Sequence, residues 1–296
     1  MFNWVVLLFI GLSSPAGSSG LYAPPGARAG GLGDTFTAMA IGVEALWWNL
    51  AGVAWTKGVE ARVEHGRPFQ LAALETSGGA VAYGLGRMDG GISVTGFGDE
   101  GYRETTLGFT LATRPRRGRA AVGIGAKWMG VGGRDLSSQS FTIFDIGLRV
   151  AGTRWAEGAV GWNATGQRVD ALSQGSAAGI ALQVTPRVWI GVDVWKEVGV
   201  RTGASTGVEA ILHRRLVGRI GWGGYPDRMS AGFGVMAHRV RIDTSVSLDL
   251  WNLPSRLPCG AVNAGFLTVS DPASILEILP LSPPSSVGIH ASNHWT

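Results

Sequence analysis

The chain is nearly without cysteine: Cys259 stands alone among 296 residues. One thiol excludes an internal disulfide framework and any paired-cysteine metal site. Charge is scarce too, at 16% of residues, which is low for a soluble protein of this size. After the first dozen residues there is no long apolar run of the kind a helical membrane span needs. Catalytic and metal-binding patterns are missing as well. His65, His213, His238, His290 and His294 fall at strand ends, in turns or near the C-terminus, and no H-E-x-x-H or Cys/His spacing joins them. The segment "GARAGGLG" looks like a phosphate-cradling loop, but no strand precedes it and no GK[ST] follows. No nucleophile is arranged beside a base. The expectation is therefore a non-enzyme without cofactor or metal.

What is present is 45% hydrophobic residues and 47 glycines without a collagen triplet. An apolar chain without apolar runs is explained by a barrel in lipid, where each strand turns every second residue outward. In "RVRIDTSVSLDL", Val240, Ile242, Thr244, Val246, Leu248 and Leu250 share one face, and Arg241, Asp243, Ser245, Ser247 and Asp249 the other. "RVWIGVDVWKE" and "AAVGIGAKWMG" repeat the pattern. The alternation predicts about fourteen strands, near 57–65, 70–86, 90–98, 102–112, 119–130, 140–151, 155–163, 176–184, 187–196, 203–212, 215–223, 229–237, 240–250 and 260–269. From the fourth strand onward, connections alternate between short ones ("GTR", "TP", "HR") and longer ones such as 131–139 and 164–175. Bacterial outer-membrane barrels have short periplasmic turns and long external loops, and an even strand count sets both termini in the periplasm. Trp128, Trp162 and Trp222 fall on the apolar phase shortly before longer loops, where a membrane girdle belongs.

The first residues, "MFNWVVLLFIGLSSPAGSSG", read as a secretory signal with cleavage after Ser14/Ala16 or Ala16/Ser18. With export, the net charge of +4 points away from nucleic acid, and the cluster "RPRRGR" at 114–119 reads as a solvated turn within reach of lipid phosphates. Residues 271–296 lose periodicity and carry four prolines, "DPASILEILPLSPPSSVGIHASNHWT", as in a flexible periplasmic tail.

A barrel of this size is wider than side chains alone fill. The passage "GARAGGLGDTFTAMAIGVEALWWNLAGVA" precedes the first strand, and its apolar residues Phe36, Met39, Ala40, Val43, Leu46 and Trp47 have helical spacing. It is expected to be a helical plug. Glycines on the inward phase (Gly123, Gly125, Gly147, Gly179, Gly191, Gly207, Gly221, Gly232 and Gly234) leave room for another backbone. Inward charges at Lys127, Asp145, Arg149, Asp193, Glu209, Arg219, Arg241, Asp243 and Asp249 can pair with each other or with Arg28, Asp34 and Glu44 of the plug. Trp47 and Trp48 are expected to be packing anchors.

This same stretch resembles the start of PorV/PorQ-type proteins within the FadL-like outer-membrane barrel superfamily. The resemblance rests on the GARA-like segment beginning at Gly26 and on Asn49, Leu50, Ala51 and Gly52, which match an Asn-Pro-Ala-Gly motif except that leucine replaces proline. That exchange leaves the bend at Leu50 in question. The resemblance implies one of two functions. The first is a PorV-like role in type IX secretion, with secretion-system components and exported cargo as partners. The alternative is a FadL-like channel for hydrophobic small molecules. The expected organisation is all-β: signal peptide 1–20, plug 21–56, transmembrane antiparallel up-and-down barrel 57–269 in outer-membrane lipid, and tail 270–296.

Overall fold

A computed structural model describes residues 26–67, 71–86, 88–115, 118–134, 136–166, 174–197, 201–224, 227–238, 240–250 and 260–269. The signal-peptide and tail expectations, and Cys259, lie outside these residues. The fold is a closed antiparallel barrel of fourteen strands in which each pairs with its sequence neighbours and the last closes on the first. The strands are β1 (Gly58–Arg67), β2 (Thr76–Gly84), β3 (Asp89–Gly98), β4 (Arg103–Thr113) and β5 (Ala120–Gly133). They continue as β6 (Leu136–Ala151), β7 (Trp155–Gly166), β8 (Gly175–Thr185), β9 (Val188–Glu197) and β10 (Gly203–His213). The circle is completed by β11 (Leu216–Gly224), β12 (Asp227–Ala237), β13 (Val240–Asp249) and β14 (Gly260–Val269). Closure removes the unpaired sheet edges that an open sheet would present.

Why these segments are strands follows from their two faces. Val59, Ile92, Phe109, Ile124, Phe144 and Ile220 are among many large apolar residues that stand exposed on the outer wall, the arrangement lipid requires. Inward neighbours are small or charged. The second predicted strand, 70–86, is interrupted: Ala72–Leu74 form a 3-10 turn and β2 begins only at Thr76. The alternation starts there, and the preceding "LAAL" carries none of it.

Residues 26–56 lie inside the barrel. Their conformation corrects the expected helix. Only Ala27–Gly30 (α1) are α-helical, and Gly42–Leu46 and Leu50–Trp55 are 3-10 turns joined by irregular chain. Gly26, Gly33 and Gly42 have φ between +61° and +151°, and non-glycine Asp34 has φ 64°, so the chain changes direction too often for a continuous helix. The apolar spacing mistaken for helical periodicity instead feeds a compact cluster of Leu32, Phe36, Val43, Leu46 and Trp47.

The segment travels round the lumen, and glycines of the wall admit it. Leu32 and Gly33 pass Gly207 of β10 and Gly221 of β11, Thr35 passes Gly191, and Thr37 passes Gly158 and Gly179. Asn49 to Ala51 then run along Gly147 and Gly123, and Leu46 lies over Gly91. Of the nine inward glycines read from sequence, all but Gly234 have the segment against them, while Gly234 faces Asp243 and Arg219. Gly158, Gly84, Gly91 and Gly223 also have the segment against them. Replacing Gly221 by valine forces β11 against the backbone of Leu32 and Gly33, an overpacking cost of about 1–3 kcal/mol. The expected result is faster protease cleavage within residues 26–56 and an earlier loss of heat-modifiable gel migration. Gly96→Ala, where an added Cβ meets open space, leaves both unchanged.

Candidate functional site

The lumenal segment is held by buried charge. Arg28 donates through Nε and Nη2 to both carboxylate oxygens of Glu209, at 2.9 and 2.7 Å, and through Nη1 to Glu44 at 2.8 Å. Arg62 of β1 meets Glu44 at 3.0 Å and Asp243 at 3.4 Å, and also pairs with Glu64. Arg219 bridges Glu209 at 2.6 Å and Asp243 at 2.9 Å, and Arg241 adds Asp243 at 3.0 Å. Four guanidiniums thus face four carboxylates, all nearly water-free. Balance matters because an unpaired charge at this depth costs several kcal/mol. Burial alone would lift the pKa of Glu44, but the guanidiniums of Arg62 and Arg28 more than reverse it, holding Glu44 below the ordinary carboxylate range. Burial likewise opposes ionisation of Arg28, and Glu209 and Glu44 together overcome it and raise its pKa.

A second set of contacts grips the backbone. Asp193 accepts the amides of Phe36 and Thr37 at 2.8 and 2.7 Å, and Glu60 accepts that of Val43 at 2.9 Å. Arg149 donates to the carbonyl of Ala38 at 3.0 Å and lies 4.3 Å over the ring of Trp55. Arg114 approaches that ring at 4.7 Å, which corrects the reading of the 114–119 cluster as wholly a solvated turn: an indole beside the turn draws its first arginine inward.

The corner at Asn49–Gly52 has its own logic. Asn49 donates to the carbonyls of Thr37 and Leu148 at 2.9 and 3.0 Å, while its side-chain oxygen accepts the Ala51 amide at 3.2 Å. One amide therefore ties together two passes of the segment and β6. Leu50 opens the following 3-10 turn, a first position that also tolerates proline, so leucine leaves the bend intact and fills the space beside Gly125. Gly52 is required because a Cβ there would meet the Ala40 carbonyl and Ala45. A Cβ at Gly26 would touch the Trp48 indole nitrogen, so Gly26 packs under Trp48. Trp48 meets Phe36 edge to face, centroids 5.6 Å apart, and Trp47 is buried in the apolar cluster. Asp34 pairs with Arg228 of β12.

Of the inward charges expected from sequence, Lys127, Asp145, Arg149, Asp193, Glu209, Arg219, Arg241 and Asp243 are all buried. Lys127 pairs with Asp145 at 2.6 Å, away from the Arg28 cluster. Asp249 is in register with Arg228 at the loop end of β13. Glu60, Arg62 and Glu64 were missed, although their period-two spacing in "GVEARVEHGR" carried the signal. Trp128 and Trp222 stand on the outer wall, 51% and 38% exposed, each ring lying along the glycine two residues on, Gly130 or Gly224. The side chain of Trp162, the third expected girdle residue, lies outside the described residues.

Towards the long loops the lumen changes character. Met129, Phe141 and Ile143 form a separate apolar cluster flanked by Val131, beyond the Lys127–Asp145 pair. Among the described residues no group of three or more His, Cys, Asp or Glu is placed to hold a metal ion, and no helix is long and apolar enough to cross a membrane.

No family model and no curated protein matches the chain. Solved structures do. The Ralstonia pickettii toluene transporter TbuX aligns with a TM-score of 0.60 and 13% identity over 85% of this chain and 99% of that one. The toluene transporter TodX of P. putida aligns at 0.55 and 12%, over 84% and 99%. A Pseudomonas aeruginosa FadL homologue aligns at 0.51 and 12%, over 83% and 97%. At such identities the likeness establishes the fold alone, the closed barrel that this chain shares with those structures.

Removing one partner of a buried pair is the direct probe of the segment. Arg28→Met leaves Glu209 and Glu44 short of charge and should cost about 3–5 kcal/mol, read as a lower denaturant midpoint for release of residues 26–56 to protease. Acid should act in the same direction. Because the pKa of Glu44 is depressed in the folded chain, its contribution is complete above the ordinary carboxylate pKa and is lost as pH falls through the folded value. A pH series of the protease assay checks this, and Glu44→Gln should flatten it.

Proposed function

We propose that the chain is an outer-membrane channel for hydrophobic small molecules, with residues 26–56 as the plug of its lumen. The observation that carries this reading is the apolar cluster of Met129, Phe141 and Ile143 on the barrel wall towards the loop end, separate from the apolar core of the lumenal segment. Met129 and Phe141 are direct partners across β5 and β6, and Ile143 pairs with Lys127 one step deeper. A lumen serving only water and ions has no use for such a surface, whereas an apolar solute entering from the loop end gains a place to leave water. The plug then bars free diffusion of polar solutes. The fold-level likeness to TbuX and TodX, a toluene transporter and a monoaromatic hydrocarbon channel, favours the same reading. The PorV-like role in secretion, ranked first on sequence, has no comparable observation behind it and gives way to the uptake reading.

On this reading both termini and the short turns face the periplasm, as in other bacterial barrels. The test is uptake of a labelled monoaromatic hydrocarbon by cells that express the full chain and lack other hydrophobic channels. Phe141→Glu should lower uptake about ten-fold or more, since a carboxylate replaces the apolar surface at that point. Uptake no greater than in cells without the protein would defeat the reading, and co-purification of exported proteins or secretion components would restore the secretion role.

A further inference from the structure

The two rims of the barrel carry different charge. Six short connections join the strands at one end: 85–88, 114–119, 152–154, 186–187, 214–215 and 238–239. Every one contains arginine, and none contains aspartate or glutamate. Arg119, Arg154, Arg187, Arg214 and Arg215 are exposed, and no carboxylate among the described residues pairs with them. Arg87 and Arg239 belong to the other two turns by sequence. The long-loop rim is mixed instead: there Arg67 pairs with Glu75 at 2.8 Å and Arg134 with Glu100 at 2.6 Å, while Arg103 and Arg201 are exposed beside acidic neighbours in sequence such as Asp99 and Glu100 or Glu197.

We propose that the short-turn rim is a binding surface for anionic phospholipid headgroups, clamping the barrel into the leaflet that its short turns contact. Two observations favour lipid over a protein partner. The cations are distributed around the whole circumference, one group per hairpin, and so match a plane of headgroups rather than a single docking patch. They also sit next to lipid-exposed apolar residues: Leu212 and Leu216, 60% and 36% exposed, bracket Arg214 and Arg215, and Val184, 52% exposed, shortly precedes Arg187. An arginine in that position extends its apolar stem along the hydrocarbon boundary and delivers its guanidinium at the depth of the phosphates. Guanidinium also pairs with phosphate through two parallel hydrogen bonds, which makes arginine better suited here than lysine.

The barrel geometry alone supports this proposal, and it stands or falls apart from the uptake reading. The test is native mass spectrometry of the full-length protein in neutral detergent with equal amounts of phosphatidylglycerol and phosphatidylcholine. Phosphatidylglycerol adducts should predominate by roughly five-fold or more, and the preference should vanish in about 1 M salt, where charges are screened beyond about 3 Å. The variant R154Q/R187Q/R214Q/R215Q, checked for folding by heat-modifiable migration, should retain both lipids equally, while Arg134→Gln at the other rim should behave as wild type. Equal retention of the two lipids by the wild-type protein, or a preference that survives the four substitutions, overturns the proposal. If the four-substitution variant does not fold, the salt series on the wild-type protein decides: a preference insensitive to salt is not one made by this rim.

Discussion

The ion pair of Arg28 with Glu209 is the centre of this barrel's interior, because it joins the lumenal segment to the buried charge network of the wall. Glu209 on β10 already touches Arg219, and through Arg219 and Asp243 the contact extends to β13 and β1. Desolvating so many charges is expensive, and burial is tolerated only while each has an opposite neighbour. Without Arg28 the cluster would hold four carboxylates, Glu44, Glu64, Glu209 and Asp243, against three guanidiniums. Without the wall, Arg28 and Glu44 would have only each other. Segment and barrel are therefore complete only together, and glycines along the inner face let the two backbones come close enough for that completion.

Much of this was legible beforehand. Strand phase was readable wherever one face carried branched apolar residues, as in β13, because lipid imposes the alternation residue by residue. Inward charges followed from the same phase, and inward glycine marked the course of the segment before it was seen. What resisted reading has common physical roots. Residues 26–56 are enclosed on all sides by the wall, so their apolar spacing reports a cluster rather than a helical face, and the turns that set their path come from positive-φ positions whose order has no period. The partners of Asp193 and Glu60 are backbone amides, which leave no trace in a sequence.

The lumen is layered along its length. Nearest the short turns are Trp55 with Arg114 and Arg149, then the segment with its charge cluster, then Lys127 with Asp145, and finally the apolar Met129, Phe141 and Ile143. β5 and β6, with 14 and 16 residues, rise towards the loop end and build that last layer between them. The charged pairs and this last apolar patch of the wall thereby lie at different depths of one lumen.

The pairing of Arg62 with Asp243 spans β14, the strand that closes the ring: one partner lies on β1 and the other on β13. A sheet in which β14 is not joined to β1 does not hold these two charges together, so closing that seam also completes the pairing of Arg62 with Asp243, and the ring and its buried charge are sealed at the same place.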